Sequence, residues 1–330
     1  MGLAFRAALI CTSQHMTSIL RGALAALALT SAVWLAAAPA AADDYMTCGK
    51  ASGDEAIAAC THGIESGRYS GHQLAALFNN RCSEWNGKHQ SDKALADCNE
   101  AIRLEPDYAL AFFNRANASF DKRDYDRALE DYNQSIRLNP SSLLAFNNRG
   151  NTYLTLGQFD RAIENFDQAI RLNPKRADPY YNRGTAYNAK GGQPDRAIED
   201  LTQAIRLDPN NADAFYNRGI AYKAKGQYDR AIEDFSQAIR LNPNHALAFN
   251  NRGTVFNAKG QYDRAIEDFN QAIRLNPNQA MAFYNRGVSW ERKNDLQRAL
   301  ADFKKCSELA PSDPNGPKAI ERVTKALSGR

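Results

Sequence analysis

Apolar and polar residues alternate along most of this sequence with the period of an amphipathic helix. Two such segments, Ala212–Lys225 and Tyr228–Leu241, are separated by Gly226-Gln227 and followed by Asn242-Pro243. Because glycine and proline interrupt helices, these residues mark where each helix stops. The pattern therefore predicts two helices joined by a short turn.

The helix pair repeats along the chain. The phrase Asn-Arg-Gly, or a variant of it, recurs every 34 residues, with one step of 35 at the turn Gly191-Gly192-Gln193-Pro194. A loop absorbs such an extra residue without disturbing either helix. Seven units span residues 75–313, and the first residue of each is called position 1. They begin at Ala75, Ala109, Leu143, Ala177, Ala212, Ala246 and Ala280, and the extra residue of the fourth unit is left out of the count.

Side-chain sizes within the unit follow a packing pattern. Proline at position 32 ends the second helix of every unit. An aromatic residue at position 4 needs a small partner, which alanine at position 20 supplies, and a ring at position 24 is expected to fill the space between neighbouring units. The pattern is interrupted at Cys82 (position 8), Ser119 (position 11), and Cys98 and Leu201 (both position 24).

These small, aromatic and proline positions resemble the tetratricopeptide repeat family over residues 75–313. The resemblance implies an all-α fold, a right-handed superhelical solenoid of antiparallel helix pairs whose first helices line the concave face. It also implies a non-enzymatic scaffold for protein–protein interaction.

Arginine at position 7 departs from the family, which commonly places an apolar residue there. We expect its stem to pack and its guanidinium to pair with acids of the second helix, such as Asp229, Glu233 and Asp234. A row of solvated charges is the alternative.

Both ends of the array are expected to be closed. Residues 43–74 form an N-terminal segment with half a repeat, in which Glu55–Cys60 matches the second-helix pattern of Lys93–Cys98. Residues 314–330 form a C-terminal capping helix opened by Pro317, with Ile320, Val323 and Leu327 on one face.

The first 42 residues have the features of a secretory signal peptide. Arg6 and Arg21 precede a short apolar run, and Ala40-Ala41-Ala42 forms a small-residue cleavage site. A transmembrane anchor is the alternative, but the run is short and lacks a basic flank on its far side. We expect cleavage after Ala42, a mature protein without membrane insertion, and a periplasmic or secreted bacterial location; Met16 is an alternative start.

Five cysteines remain after cleavage, in a compartment that favours oxidation. A bond between Cys48 and Cys60 would pin a short extended segment to the half repeat, and Cys82 with Cys98 is the second candidate pair. Cys306 lies at position 27, a small-residue core site, and is expected to be a buried filler.

Charge and motifs indicate architecture rather than chemistry. Removing residues 1–42 leaves 39 Lys and Arg against 37 Asp and Glu, so no nucleic acid partner is implied. Asp, Glu, Arg and Asn recur once per repeat, whereas a catalytic site needs residues made different from their surroundings. The four mature histidines are scattered without ligand spacing. No enzyme activity, cofactor or metal is expected.

The candidate binding residues are asparagines at position 6, because a row of amides offers donors and acceptors to the backbone of an extended polypeptide. They are Asn80, Asn114, Asn148, Asn182, Asn217, Asn251 and Asn285. Tyr181, Tyr216 and Tyr284, at position 5, add flat contact surface. A carboxylate clamp of the chaperone-adaptor kind is not expected, because positions 2 and 5 carry no lysine or arginine.

Three alternatives remain open for this row. The asparagines could tie each first helix to the neighbouring repeat, since buried amides are commonly satisfied internally. The repeats could instead serve a structural or self-assembling role by stacking or dimerising. Binding of an envelope glycan is chemically reasonable but has no motif behind it.

Overall fold

The computed structural model describes residues 44–329, and the predicted signal peptide with its cleavage after Ala42 lies outside this range. The described part is entirely helical apart from turns and short connections. Its helices are α1 (Asp44–Lys50), α2 (Gly53–Glu65), α3 (Gly71–Gly87), α4 (Ser91–Leu104), α5 (Ala109–Asp121), α6 (Tyr125–Leu138), α7 (Leu143–Thr155), α8 (Phe159–Leu172), α9 (Ala177–Lys190), α10 (Pro194–Leu207), α11 (Ala212–Ala224), α12 (Tyr228–Leu241), α13 (Ala246–Ala258), α14 (Tyr262–Leu275), α15 (Ala280–Arg292), α16 (Leu296–Leu309) and α17 (Asn315–Ser328).

The predicted solenoid of helix pairs is confirmed. Each repeat contributes a first helix (α3, α5 and so on to α15) and a second helix (α4, α6 and so on to α16), which pack on each other. The second helices α4 to α14 also pack on the first helix of the next repeat, α16 packs on α17, and consecutive first helices contact one another. The first helices therefore form a continuous layer along one side of the array. The predicted pair in the fifth repeat is α11 and α12, with α11 ending one residue earlier than expected.

The core of each repeat is built around the residue at position 24. Phe166, Phe235, Phe269 and Phe303 are fully buried, as is Leu201, which stands in for a ring. Phe235 lies against Gly219 at position 8 of its own repeat and clusters with Val255 of the next repeat. The ring therefore fills the space between neighbouring units, as predicted, and it also fills the space within its own helix pair. The alanines at position 20 are fully buried in all seven repeats.

The arginine at position 7 pairs with a carboxylate in six of the seven repeats. In the fifth repeat, Nε and Nη2 of Arg218 each donate to Asp234 at 2.8 Å, and Nη1 donates to Thr202 of the preceding repeat at 3.1 Å. The other pairs are Arg81–Asp97, Arg115–Asp131, Arg183–Asp200, Arg252–Asp268 and Arg286–Asp302. Each guanidinium thus joins the second helix of its own repeat to the second helix of the preceding repeat.

The sequence prediction for these arginines is right for Asp234 and wrong for Asp229. Asp229 lies in the first turn of α12 and pairs with Lys259 of the next repeat. Glu233 is exposed on the outer side of the same helix. Positions 18 and 23 are five residues apart, so the two carboxylates leave the helix about one and a half turns apart and only the one at position 23 lies beside the guanidinium.

At the N-terminal end, Cys48 is bonded to Cys60 and Cys82 to Cys98, so both predicted disulfides are confirmed. The expectation of an extended segment around Cys48 is wrong, because this residue lies in α1, which packs against α2. A short helix satisfies its own backbone hydrogen bonds while the disulfide holds it in place. Cys306 is free and buried, as expected for a core filler.

At the C-terminal end, α17 covers the last repeat. It begins at Asn315, two residues before Pro317, which is tolerated because the first turn of a helix leaves its N–H groups unpaired. Val323 is fully buried against Leu296 and Phe303, with Ile320 and Leu327 at the margin of this cluster. The predicted apolar face of the capping helix is confirmed.

Candidate functional site

One side of the first helices is left uncovered by the second helices. Positions 2, 6, 9 and 13 share a side because they are three or four residues apart, and position 8, which meets the buried ring, lies on the opposite side. Since consecutive first helices contact one another, these sides join into one surface along the array. We call positions 2, 6, 9 and 13 of α3 to α15 the first-helix face.

The position-6 asparagines lie at the edge of this face and bond to the preceding repeat. Their Nδ2 atoms donate to the side chain at position 5 of that repeat wherever it is polar. The bonds run from Asn114 to Asn79 (2.9 Å), Asn182 to Asn147 (3.0 Å), Asn217 to Tyr181 (3.3 Å), Asn251 to Tyr216 (3.0 Å) and Asn285 to Asn250 (3.1 Å). Where position 5 is Phe113, Asn148 donates to Asn117 instead, at 3.0 Å.

The backbone beside these asparagines is tied in the same way. Asn86, Asn188 and Asn257, at position 12, donate to the carbonyl oxygens of Asn114, Asn217 and Asn285 in the next repeat. Asn80, the first of the row, accepts a long 3.5 Å bond from Asn79. The geometry therefore supports the tie between neighbouring repeats, which the sequence left open as an alternative.

In two of the repeats these bonds leave the amide oxygen unused. The Oδ1 atoms of Asn182 and Asn285 receive no hydrogen bond from the residues that the structure describes, and both side chains are partly exposed. The oxygen of a side-chain amide is a hydrogen-bond acceptor that suits a backbone N–H. Each of these two side chains therefore donates to the preceding repeat and keeps an acceptor that none of the described residues uses.

The candidate tyrosines have structural partners as well. Burial raises the pKa of Tyr181 and of Tyr216 to about 12, and each hydroxyl accepts the asparagine bond described above. Tyr216 also lies 4.7 Å, centroid to centroid, from the ring of His245. Tyr284 packs against Phe303, and the helix pair to which it belongs is followed by α17.

Position 2 supplies exposed apolar residues on this face that sequence reasoning missed. Leu110, Leu144 and Met281 are 54%, 47% and 51% exposed, although large apolar side chains usually avoid water. The central repeats place Asp178 and Asp213 at the same position. A helical-wheel comparison with position 6 would have found these leucines, because Leu144 lies one turn before Asn148.

Lys223 brings a positive charge to the edge of the face. It lies at position 12, where three of the other repeats carry asparagine, and its Nζ donates to Oδ1 of Asn251 at 2.6 Å. Burial lowers the pKa of this amine, since removal from water disfavours the charged form.

Within residues 44–329, no group of three or more His, Cys, Asp or Glu residues is placed to hold a metal ion. None of the described helices is long and apolar enough to cross a membrane.

Models of the tetratricopeptide repeat match several units. One matches residues 109–142 and 212–245, and a second matches 131–164 and 235–267. A model described as TPR repeat matches 150–191, 189–226 and 253–294. Together the matches cover residues 109–294 without a gap, which is more than half of the 330 residues. No curated protein matches the sequence.

Solved structures of repeat proteins share the fold. A chain of the APC/C hetero-tetramer Cut9–Hcn1 matches with a TM-score of 0.63 at 18% identity, over 82% of this chain and 52% of that chain. A tetratricopeptide repeat protein from Parabacteroides merdae gives 0.59 at 19% identity, over 76% and 99%. The C-terminal part of a TPR repeat-containing protein from Cytophaga hutchinsonii gives 0.55 at 18%, over 73% and 99%. The chain spans about half of the Cut9–Hcn1 chain, and at these identities the similarity concerns the fold alone.

Proposed function

We propose that this chain, which belongs to the tetratricopeptide repeat family, is a non-enzymatic scaffold that binds an extended segment of a partner protein along its first-helix face. As an array of such repeats, the chain is a protein-interaction scaffold. The extended segment and the face that receives it are the finer part of the proposal.

The exposed apolar residues at position 2 carry this proposal. Leu110 and Leu144 lie in adjacent repeats, and Met281 lies at the other end of the same face. Covering the exposed half of such a side chain contributes roughly 1 kcal/mol to binding. An extended chain advances about 3.3 Å per residue, and packed helices lie roughly 8–10 Å apart, so one repeat corresponds to about three residues of ligand. Apolar ligand residues at that spacing would meet successive position-2 side chains.

The location is part of the proposal. The signal peptide expected at residues 1–42 supports export to the periplasm or the medium. The two disulfides at the N-terminal end are compatible with an oxidising compartment. Partners would then be found among exported or envelope proteins.

The test is a capture experiment from envelope extract with the chain from Asp43 to Arg330. A face variant carries Leu110→Ser, Leu144→Ser and Met281→Ser. The control carries Leu156→Ser and Leu172→Ser, which remove exposed leucines of similar exposure outside the face. Circular dichroism establishes that both variants remain helical, and bound proteins are quantified by mass spectrometry.

We expect the face variant to lose partners that the control retains. Equal capture by both variants would place the binding surface elsewhere and refute the proposal. If the parent chain captures only itself and its size in solution grows with concentration, the self-assembling alternative is correct.

A further inference from the structure

Lys223 is a desolvated cation without a carboxylate partner. Within the described range, no Asp or Glu oxygen lies within 4 Å of its Nζ, and the neutral amide oxygen of Asn251 accepts its one hydrogen bond. An ammonium group has three donors, so two remain for other acceptors. A partly buried charge without an opposite charge is energetically unfavourable.

The lysines at position 14 form ion pairs between neighbouring units. Lys88, Lys122, Lys190, Lys225, Lys259 and Lys293 each pair with an aspartate of the preceding unit. Lys225 is only two residues from Lys223 but points to Asp195. Lys223 therefore differs from the position-14 lysines in having no carboxylate partner.

Among the described residues, Arg149 is the other basic residue whose pKa is lowered by burial. Its guanidinium is enclosed by the amide oxygens of Asn165 and Asn133 on second helices, on the side away from the first-helix face. Its guanidinium therefore already has an acceptor on each of two second helices. Lys223 instead has a single acceptor, Asn251, which it reaches from α11 to α13 at the edge of the first-helix face.

The groups around Lys223 complete a site for an acceptor. Asn251 uses Oδ1 for Lys223 and Nδ2 for the hydroxyl oxygen of Tyr216, so its orientation is fixed by partners of opposite type. The Tyr216 hydroxyl accepts that bond and keeps its own proton for a further acceptor. Asp213, the acid on the same helix, lies ten residues away at its other end, about 15 Å along the axis. It lies opposite His245 at 3.3 Å.

We propose that Lys223, with the Tyr216 hydroxyl beside it, binds the carboxylate of an aspartate or glutamate side chain in the extended segment that the first-helix face receives. The proposal rests on the proposed function and adds the chemistry of the partner at the fifth repeat. Charge complementarity is its basis, because the carboxylate supplies the opposite charge that Lys223 lacks. The apolar position-2 residues on either side would anchor the remainder of the segment.

The test uses random dodecapeptides displayed on phage and selected separately on the parent chain, on Lys223→Met and on Lys225→Met. Methionine keeps the length and apolar stem of lysine without the charge. Twelve extended residues span about 40 Å, roughly four repeats. We expect an acidic residue at one fixed position of the sequences selected on the parent and on Lys225→Met, and no acidic preference on Lys223→Met.

A selected peptide and its Glu→Gln counterpart then provide the affinity measurement. The exchange should weaken binding to the parent roughly tenfold or more, because charge-assisted hydrogen bonds are strong, and leave binding to Lys223→Met unchanged. Lys223→Arg, which restores a cation, should restore the acidic preference. If Lys223→Met and the parent select the same sequences, or if selected peptides lack an acid, the proposal is wrong while peptide binding stands. If no peptide is selected at all, the proposed function fails with it.

Discussion

Gly219 and Phe235 are in such close contact that a single methyl group would not fit between them. A Cβ atom built on Gly219 would lie 2.8 Å from Cε1 of Phe235, well inside van der Waals distance. The same relationship joins Gly150 to Phe166, Gly253 to Phe269 and Gly287 to Phe303. Position 8 is thus small because the first and second helices approach most closely at the ring of position 24.

Gly219→Ala should therefore destabilise the array, by about 1 to 3 kcal/mol of unfolding free energy. Phe235 is fully buried and has no room to withdraw, so the helices must separate slightly. Urea unfolding followed by circular dichroism measures the change. Gly87→Ala is the matched control, since its Cβ would meet nothing within 4 Å. Equal stability of Gly219→Ala and the parent would contradict this account. The second repeat already has alanine at position 8 (Ala116) opposite the ring of Tyr132, which indicates a loss near the lower end of the range.

The repeat and its core could be predicted from sequence because they depend on recurrence. Arg218 was correctly matched with Asp234, since both residues return in almost every unit at fixed spacing. The role of Asn217 could not be decided in the same way, because position 6 borders both the neighbouring repeat and the open face. An amide that both donates and accepts suits either environment.

Features that vary between repeats could not be predicted from the repeat pattern of the sequence. Position 2 is leucine in Leu144 but aspartate in Asp213, so it shows no recurring type, and its exposure follows only from the packing around it. The helix Asp44–Lys50 is too short to show an amphipathic period, and its packing against α2 and the bond from Cys48 hold it in place.

The Cys82–Cys98 disulfide replaces a packing contact, because these residues occupy positions 8 and 24. Cys82→Ala with Cys98→Ala should lower the free energy of unfolding of the N-terminal end by about 3 kcal/mol, as expected for a short closed loop. Cys82→Gly with Cys98→Phe recreates the contact seen between Gly219 and Phe235 and should recover much of that loss. Amide hydrogen exchange in α3 and α4 measures both changes. A Gly–Phe variant as unstable as the Ala–Ala variant would show that repeat 1 does not accept the common core.

Arg149 lacks the carboxylate that the other position-7 arginines have. Its Nε donates to Oδ1 of Asn165 at 2.7 Å, whereas Nδ2 of that amide donates to the carbonyl oxygen of Arg161. Asn165→Asp would supply the two oxygens that Arg218 finds in Asp234. We expect this change to raise the free energy of unfolding by about 1 to 3 kcal/mol, since hydrogen bonds between charged groups are stronger.

The reverse exchange, Asp234→Asn, is the matched control and should lower the free energy of unfolding by a similar amount. Urea unfolding of the two variants at the same ionic strength gives both values. If Asn165→Asp destabilises the protein, the bond from Asn165 to the Arg161 carbonyl oxygen stabilises the third repeat more than a carboxylate would. Position 23 would then not be equivalent in all repeats.

Substitution of Asn217 distinguishes the structural role of the position-6 asparagines from the ligand-binding role. It is 3% exposed, and its Nδ2 donates across the repeat boundary to Tyr181. Asn217→Ala should lower the free energy of unfolding by about 1 kcal/mol, because one hydrogen bond between repeats is lost. Asn151→Ala removes an amide from position 9 of the same face, where the side chain has no bond to another repeat, and should leave stability unchanged. If both substitutions leave urea unfolding unchanged but Asn217→Ala abolishes partner capture, the row acts on the ligand and the bond to Tyr181 adds nothing to the fold.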